Sequence, residues 1–349
     1  MKVAISGTGR IGRLCIRRLI DLKKDGIELV AVNTTCTAAA LAHLLEYDTV
    51  HGRWKADIAA ASEQELLING SRLALVSERD PSRLPWRQLE IGLVIDATGA
   101  FSARAMLDLH LSAGASRVLL TSPGEADLTA VMGVNEADFN PMEHRIVSAA
   151  SCTTNCLAPV LKLVHEAFGI REGWATSIHA FTNDQNHMDN PHRDLRRARA
   201  CGSSIVPAAT GMSKALKEVL PELASRIQGT AVRVPVADVS LLQLQLVLET
   251  NAGEEAVKAV FRDAASGKLG AYVGYSELPL VSADYIGCSK SAVVDGLSVM
   301  VRDRSIQLMA WYDNEWGYAC RVIDLAALIA RGCCEQPSSK QAQEAGGAR

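Results

Sequence analysis

The 349-residue chain has no apolar run long enough to span a bilayer, and no basic leader or apolar h-region precedes its strand-like start, Met1-Lys2-Val3-Ala4-Ile5. No membrane role is expected, and the expected address is cytoplasmic. Nor is there an excess of either charge: 36 Lys and Arg stand against 39 Asp and Glu, a formal net charge of -3. Without a global positive field, nucleic acid is not expected as the main partner, and a small anionic ligand needs positive groups gathered locally. The nine cysteines, at positions 15, 36, 152, 156, 201, 288, 320, 333 and 334, lack the dense, even framework of a small secreted protein and are expected to be reduced. Cys152 and Cys156 stand four apart, but structural zinc takes four ligands and no second pair has suitable spacing, so no metal is expected. Internal repeats are absent as well.

What is present exceeds one ordinary core, and two domains are expected. In the first half, short β-branched runs ("KVAIS", "IELVAVN", "IGLVIDATG", "HRIVSAAS") alternate with amphipathic stretches, the pattern of a parallel sheet with helices on both faces. After Ala150 the runs lengthen and alternate, as in "GTAVRVPVADVSLLQLQLVLET" and "RSIQLMAWYDNEWGYACRVIDL". That texture predicts an α+β domain with a mostly antiparallel sheet. The closing "EQPSSKQAQEAGGAR" is polar and aperiodic and is expected to be a disordered tail.

"VAISGTGRIGRL" places Gly7, Gly9 and Gly12 directly after a strand and at the start of a helix that Arg10 and Ile11 open. Such glycines permit a tight turn, close approach of backbone to a pyrophosphate and close helix packing, so the first domain reads as an α/β Rossmann dinucleotide-binding unit. NAD-binding versions carry an acid at the end of the second strand. Here Asn33-Thr34-Thr35-Cys36 fills that place with no carboxylate. An acid would repel a 2′-phosphate; its absence, with hydroxyls at Thr34 and Thr35 and a cation at Arg79, favours NADP and leaves NAD as the alternative.

Cys152 follows a strand-like segment and opens "TTNCLAPVLKLVHEAF", whose apolar spacing suits a buried helix. A thiol at a helix N-terminus is expected to have a lowered pKa and to be nucleophilic. Cys156, one turn deeper, reads as a small core hydrophobe.

"ASCTTNCLAPV", "HAFTNDQ", "PHRDLRRARA", "TGMSKAL", "AVRVPV" and "WYDNEWGYACRV", in this order and spacing, resemble the phosphorylating glyceraldehyde-3-phosphate dehydrogenase family over nearly the whole chain. "VNTTCTAAALAHLLEYDTVHGR" and "MDNPHRDLRRARACGSSIVP" look most like its bacterial NADP-preferring gluconeogenic branch. The resemblance implies that Cys152 attacks the aldehyde of glyceraldehyde 3-phosphate, that His179 is the base, and that inorganic phosphate cleaves the resulting thioester. It further implies that Thr182 and Arg233 hold the substrate's phosphate, with Ser151, Thr153, Thr210, Gly211 and Arg199 around the attacking phosphate. Thr98, Gly99, Thr121, Asn314 and Tyr318 are implied along the cofactor crevice, and Asn190 stands where NAD-specific relatives often carry leucine.

The family also implies a homotetramer and a division into residues 1–151 with 316–335 for the cofactor and 152–315 for catalysis, leaving 336–349 as the tail. Departures are Ser6-Gly7-Thr8-Gly9 where the family usually reads Asn-Gly-Phe-Gly, and Ala100 where a basic or polar residue is common. Erythrose-4-phosphate dehydrogenase is a related reading, but its usual pattern lacks the threonine found here as Thr182. An arsenate-detoxifying use of the same chemistry and a redox-sensing or nucleic-acid-binding scaffold are the remaining alternatives.

Overall fold

The computed structural model describes residues 1–22 and 26–334; the tail reading lies outside the described residues. The first sheet comprises β1 (Lys2–Ser6), β2 (Glu28–Asn33), β3 (Ile58–Ser62), β4 (Glu65–Ile68), β5 (Ser71–Val76), β6 (Leu93–Asp96), β7 (Arg117–Leu120), β8 (Leu128–Thr129) and β9 (Ile146–Ser148). Its order is β3-β4-β5-β2-β1-β6-β7-β9-β8, with β5 through β8 parallel and β3 and β4 added antiparallel at one edge. The second sheet comprises β10 (Ile170–Ala180), β11 (Val206–Ala208), β12 (Ile227–Val234), β13 (Ser240–Leu248), β14 (Val273–Ser276), β15 (Ala292–Arg302) and β16 (Ser305–Tyr312), in the order β11-β12-β10-β13-β16-β15-β14. It is mainly antiparallel, β10–β12 and β14–β15 being parallel. The helices are α1 (Arg10–Leu22), α2 (Ala38–Glu46), α3 (Arg104–Ser112), α4 (Cys152–Phe168), α5 (Met212–Val219), α6 (Pro221–Ala224), α7 (Glu254–Ser266) and α8 (Trp316–Cys334).

Burial explains the two textures of the sequence. Val3 to Ser6 of β1 are buried in succession because a central parallel strand is covered on both faces. In β13, Leu242, Leu244, Leu246 and Leu248 face the core while Gln243 and Gln245 point away, the alternation of a sheet packed on one face. The last helix does not extend the second core: Tyr318, Ala319, Val322, Ile323 and Ile329 of α8 pack with Leu14 and Leu19 of α1 in the core of the first sheet. Helix α4 belongs to the other core through Cys156, Leu157, Val160, Leu161 and Val164, so Cys156 is the packed hydrophobe its neighbours suggest. Cys152, at its first turn, packs against both cores and so sits on the seam between them.

Candidate active site

The chain reaches Cys152 through a strained turn. Ala150 has φ +57°, a left-handed conformation that disfavours a Cβ by about 1–2 kcal/mol. Hydrogen bonds hold it there: Ser148 Oγ accepts from Ala150 N at 3.1 Å, and Tyr318 Oη donates to Ala150 O at 2.9 Å. Asn155 Nδ2 donates to Ala149 O and Ser151 O at 2.8 and 2.9 Å. Ser151 then caps α4, its Oγ accepting from Thr154 N at 3.1 Å, and Cys152 is left as the first residue of the helix. Tyr318 is therefore a brace for this turn and is buried beneath it.

His179, near the end of β10, brings Nε2 to 3.4 Å from Cys152 Sγ. Its Nδ1 lies 2.7 Å from Ala180 O and 2.6 Å from Arg233 Nη1. These contacts exclude each other. Nδ1–H donating to the carbonyl leaves Nε2 free to accept the thiol proton; Nδ1 accepting from the guanidinium puts the Nε2 proton against the sulfur. Burial first and the Arg233 charge second push the imidazole down to about 3, so it is neutral at ordinary pH, and relief of the Arg233 charge would strengthen it as a base.

The thiol corrects the sequence expectation of a lowered pKa. Burial raises Cys152, and the opposing pull of Arg233, the Thr153 hydroxyl and the N–H groups of the first helical turn does not overcome it. Beneath the pair, Tyr312 Oη bonds to Thr153 Oγ1 at 3.0 Å and Ser177 Oγ at 2.9 Å, with its ring edge-on to His179. Tyr312 stands in the quoted "WYDNEWGY", yet nothing local marks it as a floor for the thiol.

A cavity of about 830 Å³ opens on this pair. Ser151, Thr153, Thr210, Gly211 and Arg233 line it, as do Arg193, Arg197 and Lys214. Gly211 caps the N-terminus of α5, so two helix N-termini and the cations Arg193, Arg197, Lys214 and Arg233 face one space, outweighing the acids Glu125, Asp184 and Glu218 on its walls and favouring an anion. Arg199 is not part of it. Its side chain is 65% exposed and pairs with Asp189 at 2.9 Å, whereas Arg197, two residues earlier, lines the cavity. The segment runs through turns and not a helix, and those turns choose which arginine faces inward. Thr182 stands one step back: its hydroxyl donates to Asp184, which also pairs with Arg197 and lines the cavity.

A second cavity, of about 480 Å³, is lined by Gly7, Gly9, Asn33, Thr34, Thr35, Arg79 and Thr98. Each glycine has its own reason. Gly7 has φ +97° and a Cβ there would lie 2.6 Å from Thr98 N; a Cβ on Gly12 would fall 2.0 Å from Gly7 O. A Cβ on Gly9 would meet nothing within 4 Å, leaving that space for a ligand. The residues fit a dinucleotide phosphate on this turn.

Asn33 is occupied with the fold, bonding Ser6 Oγ and both backbone groups of Glu78, and buried Thr34 bonds Thr8 Oγ1 at 2.7 Å. Thr35 and Arg79 are exposed at the rim, and Arg79 has no side-chain partner among the described residues. Arg10 turns inward to pair with Asp48 and Glu315, and Ile11 packs on the first core; only their backbone remains at the turn.

Thr98 is held by Asp96 Oδ1, which accepts from its N–H at 2.9 Å and its hydroxyl at 2.6 Å, and Gly99 follows with φ +66°. Behind them, Trp86 Nε1 donates to His110 Nδ1 at 3.0 Å, so His110 presents Nε2–H to Asp96 Oδ2 at 3.2 Å in a fully buried chain. Thr121 donates to Asp96 O, exposed Asn190 bonds Ala198 O through its backbone, and Asn314 Oδ1 accepts from Ser240 Oγ. Thr121, Asn190 and Asn314 line neither cavity.

A parallel sheet with a glycine turn, joined to a second sheet whose cavity ends on a thiol–imidazole pair, defines a nicotinamide-dependent oxidoreductase. Residues 1–104 match the family model for glyceraldehyde 3-phosphate dehydrogenase, NAD binding domain, and residues 151–314 that for its C-terminal domain. Glyceraldehyde-3-phosphate dehydrogenase 2 of Bacillus subtilis is 50% identical over 95% of this chain and 97% of its own length. The Geobacillus stearothermophilus glyceraldehyde-3-phosphate dehydrogenase is 47% identical over 95% and 98%, and glyceraldehyde-3-phosphate dehydrogenase 2 of Nostoc sp. is 45% identical over the same shares. The chain belongs to the glyceraldehyde-3-phosphate dehydrogenase family.

Proposed function

We propose that the protein interconverts D-glyceraldehyde 3-phosphate and 1,3-bisphosphoglycerate, with inorganic phosphate as co-substrate. The observation that carries this is Cys152 Sγ at 3.4 Å from His179 Nε2, at the wall of a cavity lined by Arg193, Arg197, Lys214 and Arg233. His179 takes the thiol proton, the sulfur forms a bond to the aldehyde carbon, and His179 returns the proton to the carbonyl oxygen as its π bond breaks, giving a hemithioacetal and a neutral imidazole. An incoming phosphate draws the Arg233 guanidinium off Nδ1, which frees the tautomer that accepts at Nε2. A nicotinamide cofactor, when bound, supplies the hydride acceptor. His179 removes the hemithioacetal hydroxyl proton, leaving a thioester on Cys152. Phosphate oxygen attacks that carbonyl, the C–S bond breaks, and the thiolate is regenerated with release of acyl phosphate.

Thr182 and Arg233 are assigned to the phosphate of the triose. Ser151, Thr153, Thr210, Gly211 and Arg197 are assigned to the attacking phosphate, Arg197 taking the part first given to Arg199. The cofactor is proposed to be NADP, with NAD accepted: no acid of the ribose-binding type follows β2, and Arg79, unpaired among the described residues, stands at the rim of that cavity. The physiological direction is proposed to be reductive, towards the aldehyde.

Residues 1–151 with 316–334 are taken as the cofactor unit and 152–315 as the catalytic unit. Among the described residues no helix is long and apolar enough to cross a membrane, and a cytoplasmic enzyme is proposed. A homotetramer is supported by the outer face of the second sheet, where Trp174, Leu297 and Met300 are exposed. The test is alkylation: iodoacetamide on Cys152 abolishes phosphate-dependent reduction of NADP by the aldehyde. Full activity of the quantitatively labelled protein rejects the proposal.

A further inference from the structure

Away from both cavities, three chemistry-bearing side chains from distant segments converge. His51 lies in the loop after α2, Asp238 just ahead of β13 and Glu315 just ahead of α8. His51 Nε2 is 3.1 Å from Glu315 Oε2 and 3.5 Å from Asp238 Oδ2, and the three donor atoms lie within 4.8 Å of one another. Neighbouring acids are satisfied. Asp313 accepts from the N–H groups of Gly287, Glu315 and Trp316, and Asp48 from those of Val50 and His51 and from Arg10, which also holds Glu315. Asp238 differs. Its side chain is fully buried beside Asp313 and the Val239 N–H, and among the described residues neither carboxylate oxygen has a well-formed hydrogen bond. Burying a bare carboxylate costs several kcal/mol, and a charged group in that position calls for a cation.

We propose that His51, Asp238 and Glu315 form a binding site for a divalent transition metal of the zinc type, with a fourth position left for water. Zinc bonds nitrogen and carboxylate oxygen at about 2.0–2.2 Å, so tetrahedral donors stand about 3.3–3.5 Å apart. The observed 3.1 and 3.5 Å lie close to that edge length. An imidazole donor argues against magnesium and calcium, which take oxygen. Arg10 donates to both oxygens of Glu315, from Nε to Oε1 at 2.8 Å and from Nη2 to Oε2, so it fixes the carboxylate and leaves Oε2 one further lone pair for an ion. A surface groove of about 520 Å³ reaches His51, with Arg17, Arg53, Lys55 and Asp21 also on its walls.

The test uses the full chain, stripped with chelator and alkylated at Cys152 so that the catalytic thiol takes no metal, with Co²⁺ as the probe. The expected result is one Co²⁺ per chain, with visible bands of a four-coordinate site and no thiolate charge-transfer band. Asp238→Asn and His51→Gln, each checked for fold by circular dichroism, are expected to weaken binding by more than about tenfold. Saturable binding undiminished in both variants overturns the proposal, as does no stoichiometric binding at all.

Discussion

The cavity at Cys152 is walled by arginines, a lysine, hydroxyls and a neutral imidazole, while the cavity at Gly7 is walled by backbone, hydroxyls and one arginine at its rim. In the first, side chains are held by buried partners, as Tyr312 is by Thr153 and Ser177. In the second, the critical feature is space that a Cβ would fill at Gly7 or Gly12 and does not fill at Gly9. The difference teaches where chemistry needs a low dielectric. A thiol and imidazole must exchange a proton out of water, where a nearby guanidinium has most leverage; a pyrophosphate needs only oriented N–H groups and room.

Removing a side chain should therefore hurt the first cavity far more. Cys152→Ser is expected to lower kcat/KM by about 10⁴-fold or more, since no other group there makes the covalent bond. Binding of NADP, followed by fluorescence titration, should change little. Retained turnover would erase the distinction between the two cavities.

A pH titration sharpens the same contrast through His179. Its folded pKa is about 3 against an ordinary 6.5, so the unfolded chain binds the extra proton between those values. Stability contributed by the neutral imidazole is complete above about pH 6.5 and is lost as pH falls towards 3, at no more than about 1.4 kcal/mol per pH unit. Denaturant melts at stepped pH should show a shallower acid decline in His179→Gln than in wild type. Parallel curves would mean that the imidazole gains its proton without cost.

Arginine substitutions probe which groups face the anion. Arg197→Ala should raise the KM for phosphate or the triose phosphate by about 10- to 100-fold, the loss of a charge-assisted contact. Arg199→Ala, which removes only an exposed pair with Asp189, should change activity little and stability by less than about 1 kcal/mol. The reverse ranking would favour Arg199, the assignment drawn from the sequence, over Arg197.

That reversal shows what a linear reading carries. Both sheet types, the glycine turn and the Cys152 motif were legible because each depends on near neighbours: alternation, strand-turn-helix order, a residue at a helix start. That Arg197 lines the cavity and Arg199 does not depends on turn geometry, and the direction of the thiol's pKa on burial, a property of the whole fold. Trp86, His110 and Asp96, which hold Thr98, lie 24 and 14 residues apart in successive pairs and share no motif. His51, Asp238 and Glu315 come from still more distant segments, so cysteine spacing alone held no trace of them.

The smallest effect is expected at the rim of the glycine-turn cavity. Arg79 is exposed there and unpaired among the described residues, so any contact with a 2′-phosphate would be partly screened. Arg79→Ala is expected to weaken NADP by about tenfold at most while leaving NAD nearly unchanged, read from titrations of both cofactors at two salt concentrations. Thr34 is the less clean probe, because it is buried against Thr8 and Cys36 and an aspartate there would disturb the turn as well as repel phosphate. Equal loss of both cofactors in Arg79→Ala would mean that the arginine supports the loop and does not read the phosphate. The missing acid after β2 would then permit NADP without selecting it.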